Sequence, residues 1–137
     1  MLIPIGDEQT LGRKRAYITY VLLAINVIVF LFLQRFGRNL DFIFAYGMIP
    51  EEIISGRDLT TIAIQGREFR IPETPFPVYL TLITSLFLHG GLFHLLGNML
   101  YLWVFGDNIE NAFGHVRFLF FYLAAGAASL LLQVVTL

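Results

Sequence analysis

"HGGLFHLLGN", residues 89–98, lies inside Thr74 to Gly106, a stretch that carries no Asp, Glu, Lys or Arg. A segment this apolar enters a bilayer readily, yet it holds His89, His94 and Asn98. Its uncharged length exceeds the ~20 residues that one straight spanning helix needs. Gly90 and Gly91 break it, which predicts a partly immersed stretch at Tyr79 to Leu88 and a helix from about Leu92 to Gly106. Irregular backbone at membrane depth persists only where protein buries it or where it lines a water-filled cavity. The break therefore predicts a cavity.

The rest of the chain has membrane composition as well. Its 137 residues are 57 % hydrophobic and 14 % charged, with a mean hydropathy of +0.73; soluble domains carry roughly 25 % charged residues. Uncharged runs at Tyr17 to Gln34, in the second half of Thr74 to Gly106 and at Phe118 to Leu137 predict three transmembrane helices, at about 17–34, 92–106 and 117–137. An outer loop at about 36–84 joins the first two, and its end is expected to be partly embedded. Cysteine is absent, so no disulfide framework or thiolate chemistry is available. A net charge of -1 gives no sign of a nucleic-acid partner, and none is expected.

Arg13, Lys14 and Arg15 directly precede the first run, and no small-residue cleavage site follows it. The run is therefore expected to remain as an anchor, with the N-terminus cytoplasmic by the positive-inside bias. Arg35 and Arg38 oppose this weakly, because long loops translocate largely regardless of charge. The connection from Asp107 to Arg117 then returns to the cytoplasmic side.

Asn26, alone among apolar residues, reads as inter-helix glue. In the loop, Ile62, Ile64, Phe69 and Ile71 around Gln65-Gly66 predict a short hairpin. "MIPEEIISG" predicts a short helix with Pro50 in its first turn, Glu51 and Glu52 near its positive end and Gly56 after it. With Phe42, Phe44 and Tyr46 nearby, the loop is expected to lie on the membrane surface. Pro72, Pro75 and Pro77 lead stiffly into the second segment. Ala124, Ala125, Gly126, Ala127, Ala128 and Ser129 form a small-residue run that lets another helix approach closely.

His94 and Asn98 are four residues apart and share one helix face. Both are neutral donors at pH 7, so together they suit a developing oxyanion better than a cation. The competing reading makes them structural bonds to other helices. His89 precedes the glycine pair and is expected at the mouth of the same cavity. A metal or haem site built from His89, His94 and His115 lacks an accompanying carboxylate or cysteine, and no metal or cofactor is expected; a purified sample without a Soret band disposes of haem.

"LITSLFLHGGLFHLLGNMLYLWVFGDNIENAFGHVRFLFFYLAAG", Leu82 to Gly126, closely resembles the rhomboid family of intramembrane serine proteases. The H-x-x-x-N of His94 and Asn98, the preceding His89, and the E-x-x-x-G-x-x-x-F of Glu110, Gly114 and Phe118 fall in family order. The resemblance implies an all-α membrane fold, the first three helices of a six-helix core. A serine on helix four would attack the peptide bond, with a histidine on helix six as its base. His94 and Asn98 would help hold the oxyanion, His89 would line the water-accessible site, and Glu110, Gly114 and Phe118 would form a structural motif on the cytoplasmic side. The outer loop would be the family's membrane-embedded first loop.

Two departures stand out. Where the family often carries Trp-Arg near the end of that loop, this chain has Leu80-Thr81, and the sequence ends at Leu137, where members continue into helix four. Ser55, Ser85 and Ser129 lack the G-x-S-x-G setting of a presented nucleophile, so nucleophile and base are expected from outside this chain. The resemblance thus implies the N-terminal part of an endopeptidase in a prokaryotic plasma membrane. Its partners would be lipid, transmembrane protein substrates and the C-terminal half with helices four to six. The alternative is a non-catalytic relative that binds client helices through helix three.

Overall fold

The computed structural model describes residues 15–136 and is mostly helical. Of the basic cluster preceding the first helix, Arg13 and Lys14 lie outside the described residues. Helix α1 (Tyr17–Leu33) is α-helical through Ile28 and ends in a π-helical turn, Val29–Leu33. Thr19, Leu22, Asn26 and Phe30 form its buried stripe, which Gln34 just past its end continues, the spacing that places one helical face against a partner. The amide nitrogen of Asn26 donates to the Leu22 carbonyl (2.7 Å), and Tyr122 of the last helix lies within its reach.

The following loop is more structured than its sequence suggests. Helix α2 (Leu40–Tyr46) was not expected; Asn39 caps it by accepting from the Phe42 N–H, a local bond that lets a seven-residue helix start. Helix α3 (Pro50–Ser55) forms where Pro50 and the two glutamates predict it, and Gly56 ends it in the left-handed conformation. Strands β1 (Thr61–Ile64) and β2 (Arg67–Arg70) pair antiparallel, with Ile62 opposite Phe69 and Ile64 opposite Arg67. The turn between them has Gln65 at φ 51° and Gly66 at φ 77°, the pair of positive angles that suits a tight hairpin to strand twist.

After the prolines, α4 (Val78–Phe87) is a short helix with 3-10 turns at both ends, and it meets α5 (Leu92–Phe113) at 82° across the Gly90-Gly91 break. The expected end of this helix at Gly106 is a correction: it continues through Asp107–Phe113, so most of the supposed connection is helical. A π-helical turn at Leu102–Gly106 precedes the extension. Gly106 packs on α1 here, since a Cβ on it would stand 3.0 Å from Thr19 Oγ1. Only Gly114, at φ 87° and ψ 163°, separates α5 from α6 (His115–Thr136).

Among the described residues, α6 is the one single helix long and apolar enough to cross a membrane; α4 with α5 passes as a bent pair, and α1 is a shorter apolar helix. The small-residue run of α6 is used at one point, where Leu86 of α4 seats on Gly126 so closely that a Cβ there would lie 2.4 Å from it.

Candidate functional site

The Gly90-Gly91 break turns the chain into α5 with His89 on one side and His94 on the other. His89 is buried and His94 exposed, and their rings meet edge to face at 5.3 Å between centroids and 72°. A cavity of about 410 Å³ opens between α5 and α6; His89, Asn98, Phe118, Tyr122 and Gly126 are among its lining residues. The break and the cavity thus occur together. His89 and Asn98 face this space, whereas His94 touches it only through His89.

A smaller cavity of about 240 Å³ lies under α2, lined by Gln34, Ser85 and Gly90 and again by His89. Ser55 caps its own helix end by accepting from the Arg57 N–H (3.2 Å), and Ser129 is exposed on α6. No group of three His, Cys, Asp or Glu that could hold a metal occurs among the described residues. His115 stands at the far end of α5, on Glu110.

Glu110 is the hub of that end. Only 1 % exposed, it accepts from the Ile18 N–H (2.9 Å), the Thr19 N–H (2.8 Å) and the Thr19 hydroxyl (2.9 Å), and it pairs with His115 Nδ1. A carboxylate at a helix N-terminus satisfies donors that no intrahelical carbonyl reaches, so Glu110 caps α1 from 91 residues away. Gly114 donates to the Glu110 carbonyl (2.8 Å), and Phe118 donates to the Gly114 carbonyl (3.0 Å) while its buried ring lines the larger cavity. The spacing of Glu110, Gly114 and Phe118 therefore forms one staple joining α1, α5 and α6.

Sequence reasoning missed Thr19, Gln34 and the pairing of His115 with Glu110. A hydroxyl at the third residue of an apolar helix, and an amide at its last, were the available signals.

Residues 77–137 match the family model for the rhomboid domain. Over this segment the chain is similar to the rhomboid family. It is 32 % identical over 110 residues to Rhomboid protease GluP of Bacillus subtilis, a match that covers 79 % of this chain and 18 % of that protein. Presenilin-associated rhomboid-like protein, mitochondrial, of Homo sapiens is 42 % identical over 48 residues, which covers 35 % of this chain and 13 % of that one; its counterpart from Bos taurus matches to the same extent. The chain thus spans under a fifth of the length of these relatives. No solved structure matches it. The rhomboid family is integral to membranes, in keeping with the apolar composition.

Proposed function

We propose that the chain is the N-terminal part of a rhomboid-type intramembrane serine endopeptidase, which hydrolyses peptide bonds of transmembrane substrates. The observation that carries this reading is the cavity beside a broken helix, lined by His89 and Asn98 with His94 one ring contact away. The likeness to Rhomboid protease GluP supports it. In this reading α1, α4 with α5, and α6 are the first three spans of a six-helix core. The N-terminus is cytoplasmic, the loop at 36–84 lies on the outer face of a prokaryotic plasma membrane, and the C-terminal half supplies serine and base.

His94 and Asn98 would donate to the oxyanion that forms when the serine adds to the scissile carbonyl. Such donors act because they are already oriented when charge develops and need no solvent rearrangement. His89 would line the route by which water reaches the acyl-enzyme. Glu110, Gly114 and Phe118 hold the three helices in register and take no part in chemistry.

The test is to read the gene past the codon for Leu137, express the full frame in bacterial membranes and assay cleavage of a transmembrane substrate with a serine-directed fluorophosphonate as inhibitor. Inhibitable cleavage supports the reading. A frame without a further serine and histidine, or an inert full-length product, defeats it. That second outcome favours a non-catalytic relative that binds client helices, a reading helped by Ala124, Ala125, Ala128 and Ser129, which remain exposed on α6.

A further inference from the structure

Gln34 directly precedes a run of left-handed backbone. Among the described residues, two of the three non-glycine residues with positive φ, Arg35 (49°) and Phe36 (59°), follow it directly, and Gly37 (87°) continues the run. Left-handed backbone is costly for residues that carry a Cβ and tends to persist where the surroundings enforce it. On the other side the π-helical turn Val29–Leu33 ends with the Gln34 N–H donating to the Val29 carbonyl (2.8 Å). The Gln34 carbonyl accepts from the Gly37 and Asn39 N–H groups (3.0 Å each). Every backbone polar group of Gln34 is thereby committed, and the side chain is aimed inward, 1 % exposed.

That side chain meets residue 89. Gln34 Nε2 donates to the His89 carbonyl (2.9 Å), and the His89 N–H donates to Gln34 Oε1 (3.0 Å), a pairing across 55 residues. A planar amide thus serves residue 89 as a neighbouring strand would. It does so between the 3-10 turn Ser85–Phe87 and the first turn of α5. Buried backbone groups there would otherwise be orphaned at considerable expense in stability.

We propose that Gln34 is a positioning residue: by clamping both backbone groups of residue 89 it sets the angle at which the His89 and His94 rings meet beside the cavity. The clamp itself does not depend on the protease reading; its value to catalysis rests on it.

The test uses the 137-residue chain in lipid bicelles, followed by NMR. Gln34→Met keeps the length and removes donor and acceptor; Gln34→Glu keeps an acceptor for the His89 N–H and removes the donor to its carbonyl. In Gln34→Met the residue 89 amide should exchange roughly ten- to a hundred-fold faster, as expected for one lost buried hydrogen bond. The imidazole resonances of His89 and His94 should move, while the Ile18 and Thr19 amides, held by Glu110, stay protected. Gln34→Glu should restore most of the protection at residue 89. Unmoved imidazole resonances, or unchanged exchange at residue 89, overturn the proposal. If Gln34→Met also exposes Ile18 and Thr19, the fold is lost and Gln34→Glu decides: retained protection with shifted rings supports the clamp, and unshifted rings overturn it. In the full-length protease Gln34→Met should lower kcat with KM little changed. A full-length protein inert without any substitution would count against the protease reading alone and leave the spectra to judge the clamp.

Discussion

At the scale of single residues, two buried carboxyls behave differently because of what surrounds them. Glu110 gathers four donors, so Glu110→Ala would strand the first N–H groups of α1. Breaking a buried, hydrogen-bonded carboxylate in this way should destabilise the chain by about 3 kcal/mol, readable in denaturant titrations in micelles. Glu52 lies in the loop, 1 % exposed. Burial pushes its carboxyl above the ordinary 4.5, the Asp58 carboxylate adds to this, and the single N–H of Leu59, at 3.0 Å, offsets it only in part. A raised carboxyl pKa means that the folded loop holds the proton more tightly than the unfolded chain. Stability is then greatest below pH 4.5 and falls as pH rises from there through the folded value. Glu52→Gln keeps the acceptor for Leu59 and removes the charge, so it should slow exchange of the Leu59 amide at pH 7 and abolish that slope. Neither environment was legible in the sequence. Glu110 was placed in a family motif without its partners, and Glu52 was read as a helix-dipole residue, because burial depends on segments distant along the chain.

At the scale of elements, the contact between α4 and α6 is a tightly packed joint. Leu86 fills the space above Gly126, where even a methyl group would overlap it. Gly126→Ala should therefore push α4 away and cost about 1–3 kcal/mol, the usual range for overpacking. Leu86→Ala in the same chain should relieve part of that loss, so a double-mutant cycle on thermal unfolding tests the contact; additive losses would refute it. Gly114 needs no neighbour to matter. At φ 87° it makes the one-residue turn between α5 and α6, and Gly114→Ala should cost about 1–2 kcal/mol from backbone strain alone. The hairpin, the Pro50 helix and the break at Gly90-Gly91 were legible because turn chemistry acts within a few residues. The helix at Leu40–Tyr46 rests on one cap from Asn39, a weak local signal, and the extension of α5 to Phe113 carries Glu110 to its distant partners on α1, which no local pattern reveals.

At the scale of the whole molecule, the outward faces are strongly apolar. Phe93 is 89 % exposed, Val135 76 % and Phe120 68 %, far beyond what a soluble surface of mixed polarity presents. The chain should stay dispersed only in detergent or lipid, and dilution below the critical micelle concentration should precipitate it, as light scattering would show. On the proposed protease reading, Asn98→Ala and His94→Ala in the full-length protein should each lower kcat by roughly 100- to 1,000-fold, the range for one lost oxyanion donor, with the protein still folded by thermal unfolding. Changes under tenfold in both would return these residues to the structural reading.

The sequence by itself determined that this chain is apolar enough for a membrane, that it breaks at Gly90-Gly91, and that His89, His94, Asn98, Glu110, Gly114 and Phe118 stand in rhomboid order. Hydropathy, turn preference and motif spacing are properties of neighbouring residues, and they survive without a fold. Tertiary structure alone decided that Glu110 caps the first helix, that Gln34 holds residue 89 across 55 positions, and that Asn98 faces the cavity while His94 reaches it through His89. Those pairings join atoms far apart in the chain, and only the packed helices bring them within hydrogen-bond or van der Waals reach.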